Sequence, residues 1–320
     1  MMKKLVNGWI IVVLLVSCAS MVAAYQPAEN QSADISVPDA LEKILSRGTL
    51  VVALNPDDEP LDLNNTSSVR KPDTKCTDLQ YTEGEVSGFN VDLTNGIARE
   101  LGVDSCFVIP DREELESEKW GEKWDYYPNY FITSERLDTY YFTHPVMSAP
   151  YVYFISSDNE NITSHEDLSG KIIATTYAYS VLSGYLNDNL SFIGNTQENQ
   201  VKNATLIQYD DELLAFDDLV AGKVDAMLVI EGQGNEAIEN GTPIKPLMPH
   251  TFSGYGGLAI EKDASTDKEG FVKRLNEIIQ SMHENGELSS ISMKHTETDI
   301  TKDAASFDIA SLNQFNESSA

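Results

Sequence analysis

Thr205-Leu206-Ile207-Gln208-Tyr209-Asp210-Asp211-Glu212-Leu213-Leu214-Ala215-Phe216-Asp217-Asp218-Leu219-Val220-Ala221-Gly222-Lys223-Val224-Asp225-Ala226-Met227-Leu228-Val229-Ile230 carries the reading of the fold. Thr205 to Tyr209 is a strand. Asp211 to Ala221 is a helix, with Leu213, Leu214, Phe216, Leu219 and Val220 as its apolar positions and Gly222 as its stop. Ala226 to Ile230 is a second, fully apolar strand. Just upstream, Lys171-Ile172-Ile173-Ala174-Thr175-Thr176 is another strand, followed by a helix from Ser180 through Asn187. Strands alternating with helices predict a parallel sheet covered on both faces.

The same punctuation extends outward. On the C-terminal side Gly257-Leu258-Ala259-Ile260 is a strand. The helix from Lys268 to Glu284 lines up Phe271, Leu275, Ile278, Ile279 and Met282 and stops at Gly286. From Glu297 onward the chain is polar and predicts a loose tail. On the N-terminal side, Ala40, Leu41, Ile44 and Leu45 mark a short helix closed by Gly48, and Leu50 to Leu54 a buried strand. Residues 55–87 form a long polar excursion, of a length that is unusual unless functional or stapled. A helix runs from Gly88 to Gly102 and Cys106 to Ile109 is a strand. Between Asp111 and Lys123 charges dominate a helix in which only Leu115, Trp120 and Trp124 could face a core.

Composition narrows the function. The chain of 320 residues has 22 Lys+Arg against 51 Asp+Glu, a net charge of −29, which phosphate backbones and anionic membrane surfaces repel. No nucleic-acid partner is expected. A 41% hydrophobic content supplies real cores, and three cysteines exclude a disulfide-stapled miniature or a Cys-rich metal domain. Residues 1–24 place Lys3 and Lys4 before an apolar run from Trp9 to Val16, the pattern of an export signal. Three endings are open: cleavage after Val22-Ala23-Ala24, lipidation of Cys18 in Leu15-Val16-Ser17-Cys18, or retention of the uncharged stretch as an anchor. All three put the remainder outside the cytoplasm, so any membrane contact is through that anchor, and residues 25–37 read as a linker. In that oxidising setting Cys76 and Cys106 form an even pair able to bridge, the alternative being two buried thiols. Eight Asn-x-Ser/Thr sequons occur, against about three or four expected by chance, which suggests N-glycosylation.

Several strings then occur in order: Arg47-Gly48-Thr49-Leu50-Val51-Val52, Gly88-Phe89-Asn90-Val91-Asp92-Leu93, Ile132-Thr133-Ser134-Glu135-Arg136 and Phe142-Thr143-His144-Pro145. They continue with Asp167-Leu168-Ser169-Gly170-Lys171, Leu219-Val220-Ala221-Gly222-Lys223-Val224-Asp225-Ala226 and Glu284-Asn285-Gly286-Glu287-Leu288. Over residues 40–296 the chain resembles the extracellular solute-binding proteins of family 3, which deliver polar amino acids and related solutes to ABC importers. The resemblance implies a two-lobed α/β fold of the type II periplasmic-binding-protein kind. Each lobe is a mostly parallel sheet flanked by helices, and two crossing strands join them. Lobe 1 would be 38–148 plus 252–296, lobe 2 would be 149–251, and 297–320 would follow as a polar C-terminal tail.

It also implies a site. Arg136 would grip a ligand carboxylate, a task suited to the guanidinium fork, with the Thr133 hydroxyl beside it; the plain alternative pairs Arg136 with Glu135 or Asp138. Ser180 keeps the cap of an anion-facing helix after Tyr177 and Tyr179, or serves only as that cap. Three positions depart from the family pattern. Asp58 replaces an aromatic, Phe131 replaces a Thr, and the acid that holds an α-amino group is Ile230, with Glu231 one residue late, either taking the ammonium role if its loop shifts or standing as a solvated loop acid. Aromatic residues including Tyr127, Tyr130, Tyr151, Tyr177 and Tyr179 could cage a cation or flat ring, although core packing explains any one of them. Asp57, Asp58 and Glu59 would make the mouth negative, or be solvated surface.

No catalytic constellation, metal-ligand spacing or cofactor motif stands out, and the five histidines are scattered. The expectation is a non-enzymatic protein that captures an amino-acid-like or cationic solute for a membrane permease. The rival is a cell-surface receptor or accessory subunit, of a sensor or an oxidoreductase, with the same fold.

Overall fold

The computed structural model describes residues 37–56, 62–63, 70–117, 119–176, 179–195, 199–263, 265–296 and 298–312. The readings on Cys18, Asp57, Asp58, Glu59 and Tyr177 lie outside them, as does the N-terminal segment. Of Tyr179 and Ser180 only the backbone is described.

The strands are β1 (Thr49–Ala53), β2 (Asp62–Leu63), β3 (Tyr81–Thr82), β4 (Val86–Ser87), β5 (Asp104–Val108) and β6 (Tyr127–Phe131). They continue as β7 (Tyr140–Phe142), β8 (Met147–Ser156), β9 (Ile172–Thr175), β10 (Thr205–Gln208), β11 (Ala226–Ile230) and β12 (Ile244–Glu261). The helices are α1 (Ala40–Arg47), α2 (Phe89–Leu101), α3 (Arg112–Glu116), α4 (Arg136–Thr139), α5 (Tyr179–Leu186), α6 (Glu212–Val220), α7 (Glu231–Glu239), α8 (Glu269–Glu284) and α9 (Glu287–His295).

The expected alternation is present. β10, β9 and β11 are parallel neighbours, and β1 pairs with β5 in parallel. Strand β1 is buried at all five positions, which is why it reads as an unbroken apolar run. Local chemistry sets the helix ends: the Asp39 carboxylate caps α1 by accepting from the Glu42 amide at 2.8 Å, and Asp211 caps α6. The antiparallel pairings centre on β8 and β12, the crossing strands. Phe252 is opposite Tyr151, Ser253 opposite Pro150 and Gly254 opposite Ala149. One end of β12 pairs with β6 and β7, and β8 pairs with β11, so both α/β bodies hang on this ladder. A single cluster of buried side chains runs through it, from Ile44 and Leu93 to Tyr151, Phe252 and Leu182.

The staple is formed: Cys76 and Cys106 are disulfide-bonded, fastening the polar excursion to β5. Three local expectations change. The stretch after Asp111 holds only the one-turn α3, although Trp120 and Trp124 do face a core. Glu231 is not in a loop but opens α7, a helix whose Gly234 lies so close to the Phe154 ring that a Cβ there would sit 2.0 Å from it. Residues 298–312 are not a loose tail. Thr301, Ala304, Phe307 and Leu312 are buried, and the Ser148 amide donates to the Ile300 carbonyl at 2.8 Å. The reason is a sparse apolar pattern that no helical or strand period reveals but that matches a groove made by distant residues.

Candidate functional site

Strand β6 ends at Phe131, and the chain turns through Ile132 and Thr133 into the single turn α4, which begins with Arg136. The Leu137 amide donates to the Thr133 carbonyl, and Thr133 itself is 1% exposed. This tight return brings the guanidinium back over its own strand. Nη1 donates to the Phe131 carbonyl oxygen at 2.9 Å, and Cζ lies 3.5 Å from the Tyr130 ring centroid. At that distance the ring face attracts the cation. Burial pulls the Arg136 pKa below its ordinary value, opposed by Tyr130, Tyr140 and Tyr127, with a hydrogen bond to the Tyr130 side chain. An arginine remains charged under such a shift. Neither Glu135 nor Asp138 pairs with it: among the described residues no carboxylate lies within ion-pair distance of Arg136.

Tyr127, expected at the ligand, lies in the cluster behind the guanidinium, with ring centroids 5.9 Å from Trp120 and 5.3 Å from Tyr130. Tyr140 stacks on Trp120 at 4.6 Å. Phe131 points its ring the other way, edge-on to Phe192 at 5.9 Å and to Tyr151 at 6.2 Å. Its ring also lies 2.7 Å from where a Cβ on Gly254 would be, so only glycine fits opposite it. Behind it Phe192, Phe252 and Tyr151 form a stack, with centroids 4.3 and 4.9 Å apart, and Tyr185 leans on Phe252 at 4.5 Å. Burial raises the pKa of Tyr151, Tyr153 and Tyr185, the last to about 12.

Backbone bonds close over this seam. The Ile193 amide donates to the Ile132 carbonyl at 3.1 Å, Ser134 to Ser191 at 2.9 Å, and Asn195 brackets the Ser253 backbone from both sides. The segment that follows α5 is thereby fastened to the segment that follows β6. Phe307 packs on Tyr255 at 4.9 Å, and Leu312 joins Ile132 and Ile193 in one cluster, so the C-terminal segment covers the same junction.

The structure thus brings Arg136, Thr133, Phe131 and Tyr127 together around one turn. Glu231 is half-buried at the head of α7, following β11. Sequence reasoning missed Phe192, Phe252 and Tyr185, whose meeting is a matter of tertiary packing. It also missed two buried polar atoms that find no hydrogen-bond partner among the described residues, Asn129 Oδ1 on β6 and Thr176 Oγ1 at the carboxyl end of β9. The position of Thr176, just past a strand beside Tyr177, was the available signal.

This is the architecture of a two-lobed type II binding protein. Among solved structures, a protein in complex with L-arginine matches with a TM-score of 0.54 at 14% identity, covering 83% of this chain and 98% of that one. The ancestral amino acid-binding protein AncCDT-1, a precursor of cyclohexadienyl dehydratase, matches with a TM-score of 0.51 at 21% identity, covering 80% and 98%. The profile of the bacterial extracellular solute-binding proteins, family 3, matches residues 72–298, and the chain belongs to that family. Its relatives include the L-cystine-binding protein TcyJ of Escherichia coli, 24% identical over 82% of this chain and 88% of the relative. The probable amino-acid-binding protein YxeM of Bacillus subtilis is 26% identical over 68% and 79%, and the L-cystine-binding protein TcyA of the same organism 24% over 90% and 97%. The family is extracytoplasmic and binds small solutes. No helix of the described residues is long and apolar enough to cross a membrane.

Proposed function

We propose that this protein captures a small amino-acid-like or cationic solute bearing a carboxylate, outside the cytoplasm, and hands it to the permease of an ABC importer. Arg136 carries the reading. A guanidinium held by a ring face and one carbonyl, with no carboxylate among the described residues to neutralise it, is a site for an anionic group. Thr133 and Phe131 flank it, and Asp58, Tyr177, Tyr179, Ser180 and Glu231 complete the proposed ligand shell. The lobes are taken as 38–148 plus 252–296 and 149–251. Capture without turnover is part of this reading, as is attachment of the protein at the membrane through its N-terminal segment.

Isothermal calorimetry and thermal shift against cystine, arginine, other amino acids, amines and betaines test it. Saturable binding that Arg136→Gln weakens by ten-fold or more is expected. Failure of every solute to shift the melting temperature, together with empty native mass spectra of protein from its own host, overturns it.

One observation favours a second reading. Phe131, Phe192, Phe252 and Tyr151 fill the junction between the lobes with the protein's own side chains. A receptor or accessory subunit of a sensor or oxidoreductase, with lobes permanently shut, needs no solute. Solution scattering that is unchanged by any solute, with a partner co-purifying from membranes, would favour it.

A further inference from the structure

Of the eight sequons, four fall on described residues, at Asn161, Asn189, Asn203 and Asn240. All four asparagines are exposed, and each lies in a bend or turn: ahead of the short helical turn His165–Leu168, after α5, ahead of β10 and at the end of α7. The fold uses its other asparagines differently. Asn95, Asn159, Asn195, Asn199 and Asn276 each spend their side chain on hydrogen bonds that hold loops or strand ends. Among the described residues, no hydrogen bond involves the side chain of any of the four sequon asparagines; only backbone groups of these residues are engaged. Asn203 also takes up a left-handed backbone conformation, with φ of 55°.

All four lie between 157 and 243, in the stretch that separates β8 from β12; the sequons at Asn64 and Asn65 lie outside the described residues. The hydroxyl residues of the motifs are accessible too, with Thr163, Ser191 and Thr205 exposed and Thr242 half-exposed.

We propose that Asn161, Asn189, Asn203 and Asn240 are N-glycosylated, giving the stretch between β8 and β12 a carbohydrate cover. The chemistry is an ordinary transfer from a polyprenyl-phosphate-linked oligosaccharide by a membrane transferase. Asparagine Nδ2 forms a bond to the anomeric carbon and loses one proton. The bond from that carbon to the phosphate oxygen breaks, and the lipid phosphate leaves with the electron pair.

Peptide mapping of the protein purified from its own host, with fragmentation that preserves glycan linkages, tests this. Carbohydrate mass is expected on the peptides holding the four asparagines and none on those holding Asn95 and Asn276. Unmodified asparagine at all four positions overturns the proposal. Thr163→Ala, Ser191→Ala, Thr205→Ala and Thr242→Ala keep the asparagine and remove the motif, so each is expected to lower the intact mass by one glycan. An intact mass that falls only by the amino-acid change overturns it as well. None of these positions touches Arg136, so the outcome is independent of solute binding.

Discussion

Two aromatic clusters stand on opposite sides of one short turn, and they do opposite things. Behind Arg136, Trp120, Tyr127, Tyr130, Tyr140 and Phe142 are rich in hydroxyls and hold a cation against a ring face. In front of it, Phe131, Phe192, Phe252 and Tyr151 are nearly all hydrocarbon and stack face to face or edge to face across the junction of the lobes. Rings with polar edges can shelter a charge because their hydroxyls and quadrupoles replace part of its lost hydration. Rings without them exclude water and gain by burial alone. The backbone between Tyr130 and Phe131 divides the surface proposed to recognise a solute from the one that closes the seam.

The sharpest way to break the closing side is Phe252→Ala. Phe252 is 2% exposed and stacks on three rings, so the variant is expected to lose ~3–5 kcal/mol of stability in urea unfolding. A loss under ~1 kcal/mol would mean that the seam is not closed in solution. On the recognising side, the Cys76–Cys106 bridge belongs to the same cluster as Trp120 and Tyr127. Cys76→Ser with Cys106→Ser should cost ~3–4 kcal/mol for a loop of this size, measured under non-reducing conditions. An unchanged midpoint would show the reduced chain to be equally constrained.

Arg136→Gln separates the two sides most cleanly. Removing charge-assisted bonds worth ~1.5–3 kcal/mol should weaken solute binding by roughly 10- to 100-fold. Stability should hold or rise, because a cation with no carboxylate partner among the described residues is removed from a half-buried place. A variant that unfolds instead makes Arg136 a structural residue.

The smallest effect is expected from pH. His144 and His283 lie 5.3 Å apart, both against the Pro145 carbonyl, and the His144 ring also bonds the backbone of Phe307. Burial lowers both pKa values; His144 lowers that of His283 further, while Asp299 opposes. Each ring is therefore neutral when folded and takes a proton on unfolding below about pH 6.5. The stability they contribute is complete above that value and lost as pH falls toward the depressed folded-state pKa. The melting temperature should drop between about pH 7 and pH 5, less steeply in His283→Gln. Equal slopes in both proteins would remove the histidines from the account.

Arg136 stood out through the resemblance, as the arginine of the Ile132-Thr133-Ser134-Glu135-Arg136 string. The disulfide was legible because two cysteines in an exported chain have few alternatives. Strands β9, β10 and β11 and helix α6 followed from apolar periodicity, which depends only on neighbours in the chain. Helix α7 was hidden because two glycines and several polar residues mask its period, and Gly234 is there for the sake of Phe154. Phe131 was visible as a departure from the family pattern, but not as the lip of a stack, since Phe192 and Phe252 reach it from distant parts of the chain.

By itself the sequence determined the alternation of strands and helices, the acidic charge and the pair of cysteines able to bridge. Tertiary structure alone decided that Phe131 turns away from Arg136, that three distant rings fill the junction, and that the C-terminal residues pack over it. Local patterns report what a residue prefers against its immediate neighbours. Which faces meet depends on shape complementarity between segments a hundred residues apart, and no chain-local signal encodes that.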